Sequence, residues 1–278
     1  MTGIADIPGL KIHGKGQMDF VLPVGYVDPE NKVHNNIVVR EMTGVEDDMM
    51  GNSDLPIGER VSNVLSACIV KLGDIEDRET IKKAVCDELE AGLPLTEQDR
   101  VAAMIFLRRV SVGDRYKFER TCPRCGVEAK NRETDLRTLK IEQAAHPERR
   151  RVKIELPRSK KIAIVKVLTA KGAIEVGRLR PSQEDLKSLA IVARVETLDG
   201  QSLGDPLTAL AKIKALPQAD RNLIRQVYNA METNVETDID VECRNPICLN
   251  KWDFPLDVGQ GFFLDLGGTV SAEALNWL

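Results

Sequence analysis

Two pairs of closely spaced cysteines constrain this chain more than any other feature. Cys122 and Cys125 are separated by two residues and followed by Gly126, and Cys243 and Cys248 form a second close pair far along the chain. A tight turn of this kind directs two thiolates at one cation and supplies half of a tetrahedral zinc site. We therefore expect one structural Zn²⁺ that is held by all four cysteines and joins two remote segments.

A redox function of the first pair is the main alternative to a metal site. Redox C-x-x-C motifs usually open a helix after a strand, whereas the residues on both sides of Cys122 and Cys125 predict two strands. Four thiolates would leave a metal no open position for water, so a metallohydrolase is not favoured. The three histidines do not lie in a recognisable nucleophile motif. We expect a protein that is not an enzyme.

Composition limits the other classes of function. The chain of 278 residues is 42% hydrophobic and 29% charged, with a formal net charge of -4, which is typical of a soluble globular protein without general attraction to nucleic acid. No apolar run is long enough for a membrane span, and the first residues lack the features of a secretory signal. Synthesis in the cytosol with reduced cysteines is therefore expected. Cys68 and Cys86 fall on apolar helix stripes and are expected to be ordinary buried residues.

The first half of the sequence predicts two strands, three helices and a further hairpin. Short apolar runs, the first ended by Pro23, indicate a hairpin with a long tip. Apolar residues at steps of three and four indicate helices, and Thr96 to Asp99 resembles a capping box. The expected elements are strands at 20–24 and 37–42, helices at 61–72, 77–91 and 96–113, and strands at 116–120 and 127–136. The last hairpin would hold the first cysteine pair at its tip, as in a zinc ribbon.

The second half follows a similar order after a charged stretch at 146–151, which we interpret as a solvated linker. Asp99-Arg100 and Asp220-Arg221 stand at the same distance before Cys122 and Cys243. The expected elements are strands at 152–157 and 162–169, helices at 186–197, 207–216 and 220–231, strands at 235–241 and 249–258, and a helix cap at 182–185. The predicted fold class is α+β, with two tandem pseudo-repeats, each a β-hairpin, about three short helices and a zinc-ribbon-like β-hairpin.

We divide the chain into three parts. Residues 1–145 would hold the N-terminal hairpin, the helices and the first cysteine hairpin, and residues 152–258 the second pseudo-repeat with the second cysteine hairpin. Residues 259–278 form an apolar C-terminal tail that includes Phe262 and Trp277. Because a monomer rarely leaves so much aromatic surface in water, this tail is expected to fold back on the body or to dock into a partner.

Zinc ribbons often bind nucleic acid, so a zinc-ribbon nucleic-acid-binding regulator is an alternative function. Basic residues surround the first cysteine pair, but Glu119, Glu128 and Glu133 alternate with them, and acidic residues such as Asp238 and Asp240 precede the second pair. Acidic side chains next to the metal repel phosphates. Protein recognition is therefore the favoured use of the hairpins, and no specific nucleic-acid partner is expected.

Several segments of the first half form an ordered combination. They are Leu22-Pro23, Val39-Arg40-Glu41-Met42-Thr43-Gly44, Leu65-Ser66-Ala67-Cys68-Ile69, Asp99-Arg100 to Leu107-Arg108, Gly113-Asp114-Arg115-Tyr116 and Cys122-Pro123-Arg124-Cys125-Gly126. Through these segments, residues 20–140 resemble the baseplate hub family of T-even-like contractile-tailed phages, which comprises hub subunits and hub assembly proteins. The remainder resembles the family only through the internal repeat, and the long tip after Pro23 and the wider spacing of Cys243 and Cys248 depart from its pattern.

The resemblance implies a function and a set of partners. Members of the family are structural or assembly components of the tail baseplate and are not enzymes. For this chain the resemblance implies contacts with hub, spike or tape-measure proteins and with neighbouring baseplate subunits. It also implies a location in the host cytoplasm during assembly and then in the virion tail baseplate.

Overall fold

The computed structural model describes residues 16–179, 185–256 and 260–263, which form a mixed α+β fold with several small antiparallel sheets. The elements of the first half are β1 (Gln17–Val27), β2 (Val33–Arg40), α1 (Gly44–Gly51), α2 (Ile57–Cys68), β3 (Ile69–Leu72), α3 (Arg78–Cys86), α4 (Glu97–Ser111), β4 (Arg115–Thr121) and β5 (Glu128–Asp135). Those of the second half are β6 (Arg151–Glu155), β7 (Ile162–Lys166), α5 (Ala170–Gly177), α6 (Leu186–Val192), β8 (Val195–Leu198), β9 (Gln201–Ser202), α7 (Pro206–Lys214), α8 (Gln218–Met231), β10 (Asp238–Glu242) and β11 (Lys251–Pro255). The mixed fold class predicted from the sequence is confirmed.

The first sheet has the order β1-β2-β3 and is antiparallel throughout. The pairing of β1 with β2 is regular up to Val21 and resumes at Tyr26 after a shift of register. Gly25 lies in this bulge with φ +87°, and a Cβ there would lie 2.6 Å from the carbonyl oxygen of His34. Both the left-handed backbone and the lack of space require glycine at this position.

A buried aspartate holds this bulge in place. Asp99, in the first turn of α4, accepts hydrogen bonds through Oδ1 from the backbone N–H groups of Val24 (2.8 Å) and Gly25 (3.0 Å). Its Oδ2 accepts from the backbone N–H and the hydroxyl of Thr96, both at 2.8 Å, which confirms the predicted capping box. One carboxylate therefore fixes both the start of α4 and the bulge of β1.

The second half contains a four-stranded antiparallel sheet with the order β6-β7-β8-β9. Asp220, in the first turn of α8, accepts hydrogen bonds from the backbone N–H groups of Arg158 (2.7 Å) and Ser159 (2.9 Å), which follow β6. Helices α5 and α6 separate β7 from β8, as α1 and α2 separate β2 from β3. Each cysteine pair lies at the end of a two-stranded sheet, β4-β5 or β10-β11.

Apolar side chains form two clusters of different size. The larger one, the first core, is formed by β1–β3 and α1–α4 and also contains side chains from both cysteine hairpins, including Phe118 and Phe254. Phe20 stacks on Phe106 in this core, with ring centroids 4.3 Å apart. The smaller one, the second core, is formed by β6–β8 and α6–α8. The second cysteine hairpin thus packs on the first core, and the division of the chain at residues 145 and 152 stays a prediction.

The charged stretch 146–151 contains a buried residue, so its interpretation as a solvated linker is wrong at that position. Arg150 is 5% exposed, and its guanidinium donates to the carbonyl oxygens of Pro147 (2.8 Å), Gly25 (2.5 Å) and Pro94. Burial lowers the pKa of Arg150. The arginine thus connects the stretch 146–151 to the bulge of β1 and to the segment that precedes α4.

Other differences from the sequence prediction concern where elements begin and end. Ile69–Leu72 forms β3 instead of the last turn of a helix, because these residues pair with β2. The turn of the first hairpin spans only 28–32, since β1 continues through Pro23 to Val27. Helices α1 and α5 have no counterpart in the prediction, and α3 and α6 are shorter than predicted. Residues 182–184 of the expected helix cap lie outside the described residues.

Only the beginning of the C-terminal tail is described. Gln260–Phe263 forms a 3₁₀ turn, and Phe262 is buried in the first core with its ring centroid 5.5 Å from that of Tyr116. This part of the tail folds back on the body, whereas residues 264–278 lie outside the described residues. Within the described ranges, no helix has the length and hydrophobicity required to cross a membrane.

Candidate metal centre

The four cysteines predicted as metal ligands lie together at the tips of the two hairpins. The sulfur atoms of Cys122, Cys125, Cys243 and Cys248 are all within 4.8 Å of one another. Across the hairpins, Sγ of Cys125 lies 3.5 Å from Sγ of Cys243, and Sγ of Cys122 lies 3.9 Å from Sγ of Cys248. Metal–sulfur bonds of about 2.3 Å in a tetrahedral site place the sulfurs about 3.8 Å apart. The cluster therefore has a spacing compatible with one four-thiolate metal site.

Backbone hydrogen bonds close the turn between β4 and β5. The N–H of Cys122 donates to the carbonyl oxygen of Val127 (2.9 Å), and the N–H of Gly126 donates to that of Cys122 (3.0 Å). Gly126 has φ +72° and directly follows Cys125. This left-handed residue reverses the chain after the second cysteine, which lets both sulfurs face the same point.

The turn between β10 and β11 is longer but closes in a similar way. The N–H of Cys243 donates to the carbonyl oxygen of Asn250 (2.8 Å), and the N–H of Leu249 donates to that of Asn245 (3.2 Å). Leu249 has φ +47° and directly follows Cys248. The wider spacing of the second pair is thus accommodated within the turn, and both of its sulfurs join the cluster.

The two hairpins contact each other through more than their sulfurs. Phe118 of β4 packs edge-on against Phe254 of β11, with ring centroids 5.0 Å apart. The guanidinium carbon of Arg120 lies 4.2 Å from the centroid of the Phe254 ring. Arg132 of β5 donates to the carbonyl oxygen of Glu242 (2.7 Å). These contacts hold the tips close enough for the four sulfurs to share one ion.

The thiols influence one another's ionisation. Burial opposes ionisation of Cys122, but the backbone N–H groups of Cys125 and Arg124 stabilise its thiolate, and the pKa of Cys122 falls to about 6. At Cys243 the N–H of Asn245 favours the thiolate, whereas burial and the neighbouring thiols raise the pKa to about 12. One thiolate forms readily, and further negative charges then repel each other. Four thiolates at this spacing therefore require a cation.

Polar groups beside the cluster donate to its sulfurs. The backbone N–H of Asn245 lies 3.4 Å from Sγ of Cys243, and the side-chain amide of Asn250 lies 3.9 Å from Sγ of Cys122. Donors of this kind orient thiolate ligands and stabilise their charge. Sequence reasoning did not identify Asn250, and the signal that indicates it is its place two residues after Cys248.

The remaining cysteines lie away from the cluster. Cys68 is fully buried in the first core, where burial raises the pKa of its thiol to about 12. Cys86 is half-buried, and its Sγ lies 3.6 Å from the hydroxyl oxygen of Ser66. Cys68 is therefore the ordinary core residue expected from the sequence, and Cys86 is more exposed than expected.

Apolar side chains are exposed around the sulfur cluster. Ile247 and Leu249 in the second turn are 93% and 62% exposed, and Val127 in the first turn is 39% exposed. We call these three residues the tip patch. Behind it, Lys130 pairs with Glu128 at 2.8 Å, so the basic charge of this strand is partly neutralised. The hairpin tips thus present apolar surface next to the candidate metal site.

Comparisons with known proteins give no relative of this chain. No family model matches it, and no match is found among curated proteins or solved structures. The resemblance to baseplate hub proteins consequently depends on the sequence segments quoted above.

Proposed function

We propose that this protein is a non-enzymatic structural or assembly protein in which one Zn²⁺ joins two remote hairpins. The observation that carries the proposal is the convergence of four cysteine sulfurs, two from each half of the chain, within 4.8 Å. Zinc accepts four thiolates in tetrahedral geometry and would balance their charge. Because four protein ligands fill the coordination sphere, the ion would stabilise the fold and would not activate a substrate.

We also infer that the two halves are pseudo-repeats, and the Asp-Arg dipeptides that begin α4 and α8 support this. Each aspartate accepts hydrogen bonds from two consecutive backbone N–H groups after a Leu-Pro sequence. Arg100 donates to the hydroxyl of Ser62 on α2 (3.0 Å), and Arg221 donates to that of Ser188 on α6 (2.7 Å). A network that recurs in this way supports a common arrangement of the first hairpin and two helices in each half.

Strand registers and helix caps support the same inference. β2 pairs with β3, and β7 with β8, through three residue pairs with an irregularity before the third. Asp77 caps α3 and binds the hydroxyl of Thr80 (2.7 Å), and Asp205 caps α7 and binds that of Thr208 (2.6 Å). In a duplicated chain, two equivalent hairpins would each give two sulfurs to the shared ion.

The tip patch favours a protein partner over nucleic acid. Apolar side chains held next to a metal-fixed turn are already ordered, so they lose little conformational entropy when a partner covers them. Phosphate binding would use exposed basic residues of the turns such as Arg124 and Arg244, but the exposed carboxylates of Glu128 and Glu242 beside these turns repel phosphate. In the narrower form that the family resemblance suggests, the protein is a hub-region component of a contractile phage tail baseplate. Its partners would be hub, spike or tape-measure proteins.

Metal analysis of the purified protein tests the zinc site. We expect one zinc ion per chain in the wild type and loss of zinc in Cys122→Ser. Cys68→Ser is the matched control and should retain zinc, because Cys68 is a buried cysteine outside the cluster. Proteolysis within 148–151 should also increase in Cys122→Ser, as the two halves become less firmly joined. Full zinc content in Cys122→Ser would contradict a shared site.

Co-purification tests the function. Ile247→Asp should reduce capture of purified hub, spike or tape-measure proteins while zinc content is retained. Val112→Asp is the control, because Val112 is exposed but lies at the end of α4. Tight binding of DNA or RNA with a steep dependence on salt would favour the nucleic-acid-binding regulator instead. Proteomics of intact phage particles would show whether the chain stays in the virion.

A further inference from the structure

Charge is distributed unevenly between the two halves. Residues 17–100 contain eighteen acidic and eight basic side chains, whereas residues 149–225 contain eight acidic and seventeen basic ones. The small net charge of the whole chain, -4, hides this separation. Regions of opposite charge attract one another between copies of a protein as well as within one copy.

Two leucines are exposed on the basic half. Leu186 begins α6 and is 49% exposed, and Leu207 lies in the first turn of α7 and is 66% exposed. Lys187 is exposed next to Leu186. Lys214 at the end of α7 pairs with Asp185, which precedes α6, so the start of α6 lies beside the end of α7. We call this surface, with one leucine at each end, the α6–α7 face.

The fold does not require leucine at these positions. This step rests on the pseudo-repeat of the proposed function, in which Ser62 corresponds to Ser188 and Thr80 to Thr208. Counting from these residues, Leu186 corresponds to Arg60 of α2, and Leu207 corresponds to Glu79 of α3. Because the first half forms the same helices with charged residues at both places, the leucines are available for another purpose.

The acidic half exposes a complementary surface where α1 meets α2. Val45 of α1 is 60% exposed, and Ile57 at the start of α2 is 46% exposed. Asp47, Asp48 and Asp54 are exposed on the same two elements and their connection. We call these five residues the α1–α2 corner. It combines apolar side chains with negative charge. The α6–α7 face combines them with a small excess of positive charge, since it carries Lys187, Lys212 and Lys214 against Asp185 and Asp205.

We propose that the α6–α7 face binds the α1–α2 corner of a second copy of this chain. The two surfaces differ, so the contact is heterologous and leaves one free surface of each kind at the ends of a growing assembly. Such an assembly closes into a ring or extends as a filament, according to the rotation between neighbouring copies. Salt screens attraction between exposed charges, so the association weakens as ionic strength rises.

Sedimentation velocity of the full chain over a range of concentrations tests the proposal. We expect species larger than the monomer at low salt, with the Kd weakened about tenfold at about 0.5 M salt. Lys187→Glu and Asp47→Lys should each weaken association about tenfold, and the two changes in one chain should partly restore it because the charge pair is reversed. Lys161→Glu is the matched control, since Lys161 is exposed beside β7. Leu207→Ser should weaken association without lowering the Tm.

Four outcomes would overturn the proposal. The first is a chain that stays monomeric at every concentration in low salt, and the second is an equal effect of Lys161→Glu and Lys187→Glu on association. The third is association that Leu207→Ser leaves unchanged, and the fourth is DNA or RNA that binds at Lys187 and displaces the second copy. Zinc content separates this inference from the proposed function. Association that fails in a chain with one zinc ion contradicts the inference alone, whereas a wild-type chain without zinc contradicts the proposed metal site.

Discussion

The two halves of the molecule follow a similar order of elements, with β9 as an additional strand in the second half, but bury different amounts of apolar surface. In the described residues, the first core contains thirty-two buried side chains, six of them from Val235 onward, whereas the second core contains eleven. Burial of apolar surface is the main term that stabilises a fold. The second half therefore depends more on its attachments to the first half, such as Arg150 and the sulfur cluster.

The helices show where this difference arises. α1 packs on α2 of its own half, whereas α5 packs on α2, α3 and α4 of the other half. Ile174 of α5 lies so close to Gly58 of α2 that a Cβ on the glycine would be 2.7 Å from its side chain. Helix α5 thus packs on the first half, although its sequence belongs to the second half. Two halves with a similar order of elements need not be equally stable.

Removal of the proposed zinc ion should give the largest effect and should separate the two halves. Zinc binding contributes roughly 10 to 16 kcal/mol in small zinc-finger peptides. Here the contacts between Phe118 and Phe254 retain part of the joint, so we expect destabilisation without complete unfolding. Native-state amide exchange should accelerate about a hundredfold or more in β10–β11 and the second core, and less in the first core. Equal acceleration in both cores would contradict the comparison.

Replacement of Asp99 in the first half and of Asp220 in the second compares how much one buried aspartate stabilises each half. Asp99 accepts four hydrogen bonds and Asp220 accepts two, and both are fully buried. We expect Asp99→Ala to lower the free energy of unfolding by about 4 kcal/mol and Asp220→Ala by about 2 kcal/mol. Denaturant unfolding measures both. Asp→Asn at each site keeps one acceptor oxygen and should cost less, and a larger loss at Asp220 would reverse the expected order.

Some of this structure can be predicted from the sequence because the signals are local. Thr96 and Asp99 form a capping box at the spacing that a helix start requires, and α4 begins there. The cysteine pairs give a similarly local signal, since two thiols in one turn can bind one metal ion, and the four sulfurs lie together in the structure. The strand at Ile69–Leu72 escapes this reasoning because its apolar residues continue the stripe of α2, and only the free edge of β2 decides its conformation.

Burial of charged residues is harder to predict because the partners are remote. Arg150 lies in a run of three arginines, and its acceptors are the carbonyl oxygens of Gly25 in the bulge of β1, of Pro94 and of Pro147. Every residue has a backbone carbonyl oxygen, so the sequence does not show which of them will accept a hydrogen bond from an arginine. The arrangement of the halves around Arg150, and the packing of the second cysteine hairpin on the first core, therefore follow from tertiary structure alone.

The pH dependence of the free energy of unfolding should show a smaller difference between the halves. Glu46 accepts a hydrogen bond of 2.6 Å from the guanidinium of Arg40. Chiefly because of this bond, the pKa of Glu46 is lowered from 4.5 to about 2. In the proposed pseudo-repeat the corresponding residue is Gly172, which has no carboxylate to form such a pair. A lowered pKa stabilises the folded state above the unfolded value near 4.5, and this contribution is lost as the pH falls towards 2.

Glu46→Gln tests this pH dependence. At pH 7 the free energy of unfolding should fall by about 2 kcal/mol, and the difference from the wild type should shrink between pH 5 and pH 2. Denaturant unfolding of both proteins at several pH values measures the difference in their free energies of unfolding. The other carboxylates contribute equally to both proteins, so their contribution cancels in this difference. Glu41→Gln is the control, because Glu41 is an exposed neighbour. A difference that stays constant with pH would contradict the assignment.

The two cysteine turns allow the finest comparison, because the same left-handed position holds Gly126 in one and Leu249 in the other. A Cβ on Gly126 would have no atom within 4 Å, so Gly126→Ala should cost only backbone strain, about 1 kcal/mol. Leu249→Gly should relieve that strain and raise the stability of the zinc-bound protein by up to about 1 kcal/mol, less the entropy that glycine adds to the unfolded chain. Denaturant unfolding would show opposite signs. A strained leucine that is 62% exposed contributes little packing, so a gain on its removal, together with weaker capture of a partner, would indicate that the leucine serves binding and not folding.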